Sequence, residues 1–313
     1  MIVEFISKDM ARVILGVHGL GNKPDKDTLS RWWELSLKEG LHTHGFKTDL
    51  PEFKMVYWAD ILYPQPLDKT IENPDDPAFI SEKYTKADPG FERGKHRFRK
   101  KVLGFLGKQL YRIFLNEDFT LKYSFIPDYI LRKYFSDLDV YYKEENETED
   151  TEEYRKKQLI KQRLAEVLEQ HKNDEILLIA HSMGSIIAFD VLSFFAPESK
   201  VHTFITIGSP LGLPIVVSKI ASQYKKNPSG QKEMVTPPGV YGNWFNFSDI
   251  LDKITLNYKL SRKYKFNRHA IKPRDFGIVN DYFSEAGKHN PHKSFGYLRT
   301  NEFSYMLNNF IDR

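Results

Sequence analysis

A serine in residues 180–184 (Ala-His-Ser-Met-Gly) has the surroundings that a nucleophile needs. A serine hydroxyl attacks a carbonyl only when a general base takes its proton and a sharply bent backbone presents Oγ outside the sheet. Such a bend brings the positions two before and two after the serine against neighbouring backbone. Here they are Ala180 and Gly184, both small. The pattern predicts that Ser182 carries out acyl transfer.

The elements that flank this serine make the prediction more specific. The pentapeptide alone would occur by chance in roughly one of two or three chains of this length. Here residues 175–180 form an apolar run of strand length, and residues 185–192 have a helical period. A helix after the serine aims its first N–H groups at the place where negative charge develops. The alternative is that Ser182 only caps this helix.

The other elements predict a parallel sheet. An apolar, β-branched run that ends in glycines over residues 11–21 predicts a buried strand with a tight turn. A helical pattern over 28–41 and a strand pattern over 53–62 follow, and this order indicates a βαβ unit. The remaining predicted elements are strands at 203–207, 242–247 and 275–279 and a closing helix at 300–311.

The composition excludes several classes of protein. The 313 residues include 46 Lys+Arg, 42 Asp+Glu and no cysteine, and 41% are hydrophobic, as in a globular protein with a sizeable core. Without cysteine there is no disulfide framework and no thiolate nucleophile. The net charge of +4 is small for a nucleic-acid-binding protein. No apolar run approaches the roughly 20 residues that span a bilayer, so a cytoplasmic protein without a secretory signal is expected.

The chain resembles the α/β-hydrolase superfamily and, within it, the lipase-like and serine esterase branches. The resemblance rests on residues 17–21 (VHGLG), 179–184 (IAHSMG), 206–212 (TIGSPLG), 244–252 (WFNFSDILD) and 289–298 (HNPHKSFGYL). Their order is that of the family's nucleophile, acid and histidine. The resemblance implies an α/β-hydrolase fold, a mostly parallel central sheet flanked by helices.

Residues 63–172 interrupt this pattern. A connection of that length does not remain bare loop in a compact domain. We therefore expect a hydrolase core formed by residues 1–62 and 173–313, with residues 63–172 as an inserted helical cap or lid.

Two aspartates compete for the place of the acid. The family's acid lies in a loop after a strand that follows the nucleophile, where Asp249 and Asp252 both stand. Similar sequences have Asn, then a few residues, then Asp-Pro-Val, which matches Asn246 and Asp252. Residues 253–254 depart from this pattern, with Lys-Ile in place of Pro-Val. Asp252 is the preferred acid and Asp249 the alternate.

Three histidines follow both aspartates, as the family's chain order requires. His269 lies in a strongly basic stretch and is expected to be solvated. The family's histidine aligns with His292, which follows a proline between the last predicted strand and the closing helix. His289 is the alternate, and each could instead be an ordinary loop histidine.

The resemblance also implies an oxyanion hole. In such enzymes one donor follows an early His-Gly turn and the other is the backbone N–H after the nucleophile. The donors are therefore expected to be the N–H groups of Leu20 and Met183, with His18 supporting the loop. The alternative for residues 17–21 is a glycine-rich turn that cradles phosphate.

Together these residues imply a serine hydrolase that cleaves carboxylic esters, lipid esters included. His292, oriented by Asp252, would take the Ser182 proton, and water would release the acyl group. Such a site needs no metal and no cofactor. The alternatives are an acyltransferase with the same triad and a non-catalytic hydrolase-fold protein that binds lipid or a partner through its insertion.

Residues 93–112 of the insertion combine basic side chains with interleaved apolar ones and contain no acid after Glu92. This composition is typical of a basic amphipathic helix, which either rests on an anionic membrane or packs as a cap helix with a solvated basic face. The expected partners are a small-molecule or lipid ester and, through residues 93–112, a membrane surface. Nucleic acid is not expected.

Overall fold

Six parallel strands form the central sheet of the computed structural model, which describes residues 11–91, 151–226, 233–255 and 259–313. Their order across the sheet is β2-β1-β3-β4-β5-β6. The predicted fold class, an α/β-hydrolase-type parallel sheet flanked by helices, is confirmed. The strands are β1 (Arg12–Val17), β2 (Glu52–Val56), β3 (Glu175–His181), β4 (Val201–Ile207), β5 (Val240–Asp249) and β6 (Pro273–Ile278).

Helices cover both faces of the sheet. In the described residues they are α1 (Lys26–Thr43), α2 (Ala59–Leu62), α3 (Glu152–Gln170), α4 (Met183–Asp190), α5 (Pro214–Lys226), α6 (Ser294–Leu298) and α7 (Asn301–Ile311). A π-helical turn, Val191–Phe195, continues α4, and short 3-10 turns lie at Lys253–Thr255 and Leu260–Arg262. None of these helices is both long and apolar enough to cross a membrane.

The core consists of two apolar layers, one on each face of the sheet. Helices α1, α6 and α7 pack on one face, and α3, α4 and α5 pack on the other. Along β1, Val13 and Leu15 point into the second layer while Ile14 points into the first. Because both faces are covered, inner strands have uninterrupted apolar runs, as at residues 176–180 of β3.

The order of the strands reverses between β1 and β3. From β1 the chain moves outward to β2 on one side, and all later strands lie on the other side. The loops that leave β1 and β3 at such a reversal diverge and open a crevice at the carboxyl ends of the strands. Residues 18–21 and Ser182 follow these two strands directly.

The strand predicted over 53–62 is shorter in the structure. It ends at Val56, and residues 59–62 form the short helix α2. Trp58 has left the sheet because its backbone N–H donates to the His18 ring rather than to a neighbouring strand. An apolar run alone does not reveal this turn, since buried strands and buried helical turns are equally apolar.

Residues 92–150, with the predicted basic helix at 93–112, lie outside the described residues. The described ends of the predicted insertion pack on the core. Helix α3 buries Ile160, Leu164 and Leu168 against the same layer as α4. At the other end, Glu39 accepts hydrogen bonds from the Tyr84 hydroxyl and the Ala87 N–H. The division into core and insertion stays a prediction.

Candidate functional site

Ser182 occupies a strained turn between β3 and α4. Its backbone angles are φ 53° and ψ −125°, which side-chain-bearing residues rarely adopt and which typically cost about 1–3 kcal/mol. The turn is fixed because the Ser182 N–H donates to the Ile207 carbonyl of β4 at 3.0 Å. The Ser182 carbonyl accepts from both the backbone N–H and the hydroxyl of Ser185. Ser182 is therefore held at the carboxyl edge of the sheet.

Close backbone approach explains the small residues around this turn. A Cβ at Gly184 would lie 2.6 Å from the carbonyl oxygens of Val17 and His18. A Cβ at Gly19 would lie 2.9 Å from the Ser182 Cβ. The loops after β1 and β3 thus touch at both positions, as the predicted elbow requires of Gly184. Ala180, the other predicted small position, is fully buried in the core.

The structure brings Ser182, His292 and Asp252 together from three parts of the chain. His292 Nε2 lies 2.9 Å from Ser182 Oγ, and His292 Nδ1 lies 2.7 Å from Asp252 Oδ2. A carboxylate at Nδ1 favours the tautomer with a proton there, so that Nε2 accepts from the serine hydroxyl. The arrangement can therefore move a proton from Oγ to the imidazole.

Further donors fix the Asp252 carboxylate. Oδ1 accepts from the Ile254 N–H at 2.9 Å, and Oδ2 accepts from the Tyr297 hydroxyl at 2.8 Å. Burial, with the nearby carboxylates of Asp252 and Asp249, raises the pKa of Tyr297 well above its usual value. The Tyr297 hydroxyl therefore stays protonated and donates to Asp252. The His292 partner is thus a buried carboxylate whose orientation is set by its neighbours.

Asp249, the alternate acid, contacts a different set of groups. Its carboxylate accepts from the backbone N–H groups of Leu251 and Asn280, at 2.7 and 2.5 Å. Its own N–H donates to the Tyr297 hydroxyl. Burial raises the pKa of Asp249 to about 6, although these two backbone hydrogen bonds oppose the shift. Asp249 therefore binds backbone N–H groups next to the site and does not contact the His292 ring.

The other two histidine candidates lie elsewhere. The His289 Nε2–H donates to the Asn280 carbonyl at 2.8 Å, and the ring packs against Phe283 and Phe91. His269 is exposed beside Arg268. Of the three predicted histidines, the structure places His292 against Ser182.

Side chains hold the loop that carries His292 at three successive carbonyl groups. The Asn280 Nδ2–H groups donate to the carbonyls of residues 291 and 293, at 3.0 and 2.8 Å. The His181 Nε2–H donates to the carbonyl of His292 itself at 2.8 Å. Burial holds the pKa of His181 well below its usual range, and His292 adds to this effect, so His181 stays neutral. The imidazole of His292 is thus presented by a restrained backbone.

A fourth contact comes from Glu82, far away in the sequence. Its carboxylate accepts from Asn290 Nδ2 at 2.6 Å and from Lys293 Nζ at 3.2 Å, on either side of His292. Burial disfavours its ionisation, but Lys293 and Asn290 outweigh burial and lower the pKa of Glu82.

Sequence reasoning did not single out His181, Asn280, Glu82 or Tyr297. The adjacency of His181 to Ser182 and the place of Tyr297 within block 289–298 were available signals. Nothing near Glu82 in the sequence indicates its partners.

His18 orients the loop that carries the predicted oxyanion donor Leu20. Since the Trp58 N–H donates to His18 Nε2 at 3.0 Å, the ring proton is on Nδ1, which donates to the Gly19 carbonyl at 2.8 Å. Burial, with a contribution from Lys23, holds the pKa of His18 well below its usual range. In a trans peptide the N–H points away from the carbonyl. The Leu20 N–H therefore faces away from the His18 ring.

Lys23 fixes the next turn of this loop. Its ammonium group donates to the carbonyls of Leu20 and Gly21, the second at 2.9 Å. Burial, reinforced by Lys293, lowers the pKa of Lys23 to about 7. The other predicted donor, the Met183 N–H, belongs to the first turn of α4, whose N–H groups have no acceptor within the helix.

Comparison with known proteins finds one family. Residues 141–232 match the family described as lecithin:cholesterol acyltransferase. This stretch is less than half of the chain and contains the turn at Ser182. No curated protein matches the chain at a significant level. The match points to an enzyme of the hydrolase type, and with the parallel sheet it is consistent with the resemblance to the α/β-hydrolase superfamily.

Proposed function

We propose that the protein is a serine hydrolase that cleaves carboxylic esters of lipids through Ser182, His292 and Asp252. The observation that carries the proposal is the position of the His292 ring, 2.9 Å from the Ser182 hydroxyl on one side and 2.7 Å from the Asp252 carboxylate on the other. The lipid substrate is supported by the match to a family named for a lipid acyltransferase.

The reaction follows from these contacts. His292 Nε2 takes the Ser182 proton while Oγ attacks the ester carbonyl, and Asp252 stabilises the imidazolium that forms. The N–H groups of Leu20 and Met183 stabilise the tetrahedral oxyanion, a contribution of about 3–4 kcal/mol for each such donor. The imidazolium then protonates the departing alcohol. Water, deprotonated by the same His292, releases the acyl group from Ser182.

Intact-mass labelling with a fluorophosphonate tests the proposal without knowledge of the substrate. We expect one adduct on the wild type, none on Ser182→Ala, and labelling slowed by about 10³-fold or more in His292→Gln and Asp252→Asn. His289→Gln and Asp249→Asn are the matched controls and should label at near wild-type rates. Absence of any adduct on the folded wild type, while a control hydrolase is labelled, would favour a non-catalytic binding protein.

A second activity is supported by the same match, since the family is named for acyl transfer to an alcohol. The acyl-enzyme at Ser182 could then react with an alcohol in place of water. A labelled lipid ester offered with and without a long-chain alcohol distinguishes the two. Free fatty acid as the main product assigns a hydrolase, whereas a new ester that requires Ser182 assigns an acyltransferase.

A further inference from the structure

Two segments of the described chain carry a dense positive charge. Helix α5 has three lysines and no acid, and residues 259–274, which lead into β6, have seven Lys or Arg and no acid. Without these ten, the chain has 36 Lys+Arg against 42 Asp+Glu. The net charge of +4 thus hides a strongly basic region on an otherwise acidic protein. We call α5 together with residues 259–274 the basic edge.

The two segments of the basic edge are neighbours in space. The Tyr224 hydroxyl of α5 donates to the Val235 carbonyl at 3.2 Å, and Val235 forms a parallel bridge with Lys265. Next to it, the Thr236 N–H donates to the Lys265 carbonyl at 3.0 Å. Residues 234–236 therefore join the end of α5 to the middle of the second segment.

Most of the charge on the basic edge faces solvent. The exposed cations of the second segment are Arg262, Lys265, Arg268, Lys272 and Arg274. The acid next in sequence, Asp275, is engaged inside, since it accepts from the Leu260 and Ser261 N–H groups and from Asn246. Glu233 directly precedes residues 234–236 in the sequence.

A large aromatic side chain projects from the centre of this charge. Phe266 is 57% exposed, the highest value among the exposed large hydrophobic residues of the described chain. Lys272 Nζ lies 5.0 Å from the centre of its ring. An exposed ring with a cation over its face, in a segment rich in Lys and Arg, suits an interface between a charged layer and an apolar one.

We propose that the basic edge binds the surface of an anionic lipid bilayer, with Phe266 entering the headgroup region. Clustered Lys and Arg are attracted to anionic headgroups, and the aromatic ring gains burial there that an aqueous polyanion cannot offer. The choice of a bilayer over other polyanions also rests on the proposed lipid ester substrate, which resides in membranes.

The part of the basic edge around Phe266 lies away from the site at Ser182. Asn267 Nδ2 donates to the carbonyls of Pro237 and Val240, so this part of the edge lies at the amino end of β5. Asp252 and His292 lie at the carboxyl ends of the strands. The edge therefore tethers the protein, and its loss should affect turnover of an ester in vesicles but not of a dissolved ester.

Sedimentation with vesicles tests this attachment. Vesicles of phosphatidylcholine alone and of phosphatidylcholine with phosphatidylserine are each mixed with the full-length Ser182→Ala protein, which cannot consume lipid by the proposed route. Removing or reversing two cations should weaken attachment to anionic vesicles by about tenfold or more. Arg268→Glu/Lys272→Glu and Phe266→Ser are the test variants. Lys47→Glu/Lys69→Glu, which changes two exposed lysines elsewhere, is the control and should bind as before.

The outcomes separate the alternatives. Unchanged vesicle binding in Arg268→Glu/Lys272→Glu would overturn the proposal and assign attachment to another part of the chain. Equal binding to both vesicle types, or to neither, would also overturn it. Tighter binding to duplex DNA than to anionic vesicles would overturn it as well, if Arg268→Glu/Lys272→Glu abolished the binding to DNA. Fluorophosphonate labelling of the wild type and the edge variants is scored separately, so failure of the proposed function does not affect this result.

Discussion

The His181 Nε2–H donates to the backbone carbonyl of His292 at 2.8 Å, so the residue directly before the proposed nucleophile restrains the residue proposed as its base. The two imidazole rings lie 4.9 Å apart, centre to centre. Ser182 and His292 are 110 positions apart in the sequence, yet the side chain next to Ser182 binds the His292 backbone directly. The proposed proton transfer between Ser182 and His292 should therefore depend on His181, which stays neutral and only positions His292.

We expect His181→Phe to lower kcat about tenfold or more, because loss of the donor lets His292 move, and small misplacements of a reacting group are costly. KM for a dissolved ester should change little. His181→Gln, whose amide can reach the same carbonyl, should recover part of the lost rate. Equal loss in both variants, with intact thermal stability, would contradict a positioning role.

Asp252→Asn and Asp249→Asn should differ sharply in activity. The first leaves His292 without a carboxylate at Nδ1, a change that costs about 10⁴-fold in kcat in comparable triads. The second changes a carboxylate that contacts only backbone N–H groups in the described structure and should cost less than about tenfold. Ester hydrolysis measured at neutral pH compares the two, and the reverse order would assign the acid to Asp249.

Asp249 should make stability depend on pH. Its pKa rises from 3.8 to about 6 on folding, mainly through burial, so the native state holds the proton more strongly than the unfolded state. The resulting stability is fully present below the unfolded pKa and is lost as the pH rises through about 6. The loss amounts to about 3 kcal/mol. Urea unfolding between acid and neutral pH should show this decline in the wild type and a flatter profile in Asp249→Asn.

The strained turn at Ser182 should cost stability. Glycine adopts its backbone angles without strain, so Ser182→Gly should raise the free energy of unfolding by about 1 kcal/mol after the entropy of the unfolded chain is included. Ser182→Ala keeps a Cβ and should not. Both variants should be inactive, and denaturant unfolding of the pair isolates the backbone effect. Equal stability of the two would show that the surroundings already relieve the strain.

Glu82 should influence catalysis through the loop that carries His292. Glu82→Ala removes the acceptor for both Asn290 and Lys293, and we expect kcat to fall about tenfold. Glu82→Gln keeps an oxygen for Asn290 and should retain most of the activity. A loss of overall stability without a change in kcat would instead indicate a purely structural contact.

The sequence predicted the sheet well where burial is complete. Strand β3 is covered on both faces, so its residues 176–180 are apolar without a break and lead into the turn at Ser182. The end of β2 was predicted incorrectly because Trp58 leaves the sheet to bond with His18, a contact between residues 40 positions apart. Such long-range contacts leave no periodic signal.

The candidate site was predictable to the level of residue type and chain order. Order alone left Asp249 and Asp252 open, since both lie within one turn in which the Asp252 N–H donates to the Asp249 carbonyl. Only the folded turn shows which carboxylate reaches His292. Glu82 and Asn280 could not be predicted, because what they do depends on where the loop at residues 290–293 comes to lie. The basic stretch around His269 was visible in the sequence, but its proximity to the lysines of α5 depends on the contacts of residues 234–236 and could not be predicted.

The donors that restrain the carbonyls of residues 291–293 are uncharged: the buried amide of Asn280 and the partly buried, neutral imidazole of His181. Dissolved ions have little effect on hydrogen bonds between uncharged groups, whereas they weaken attraction between exposed charges and a membrane. Ionic strength should therefore weaken attachment through the basic edge without loosening the restraints on the loop that carries His292. A high-salt wash is expected to release the protein from an anionic surface while the geometry around His292, and hydrolysis of a dissolved ester, persist.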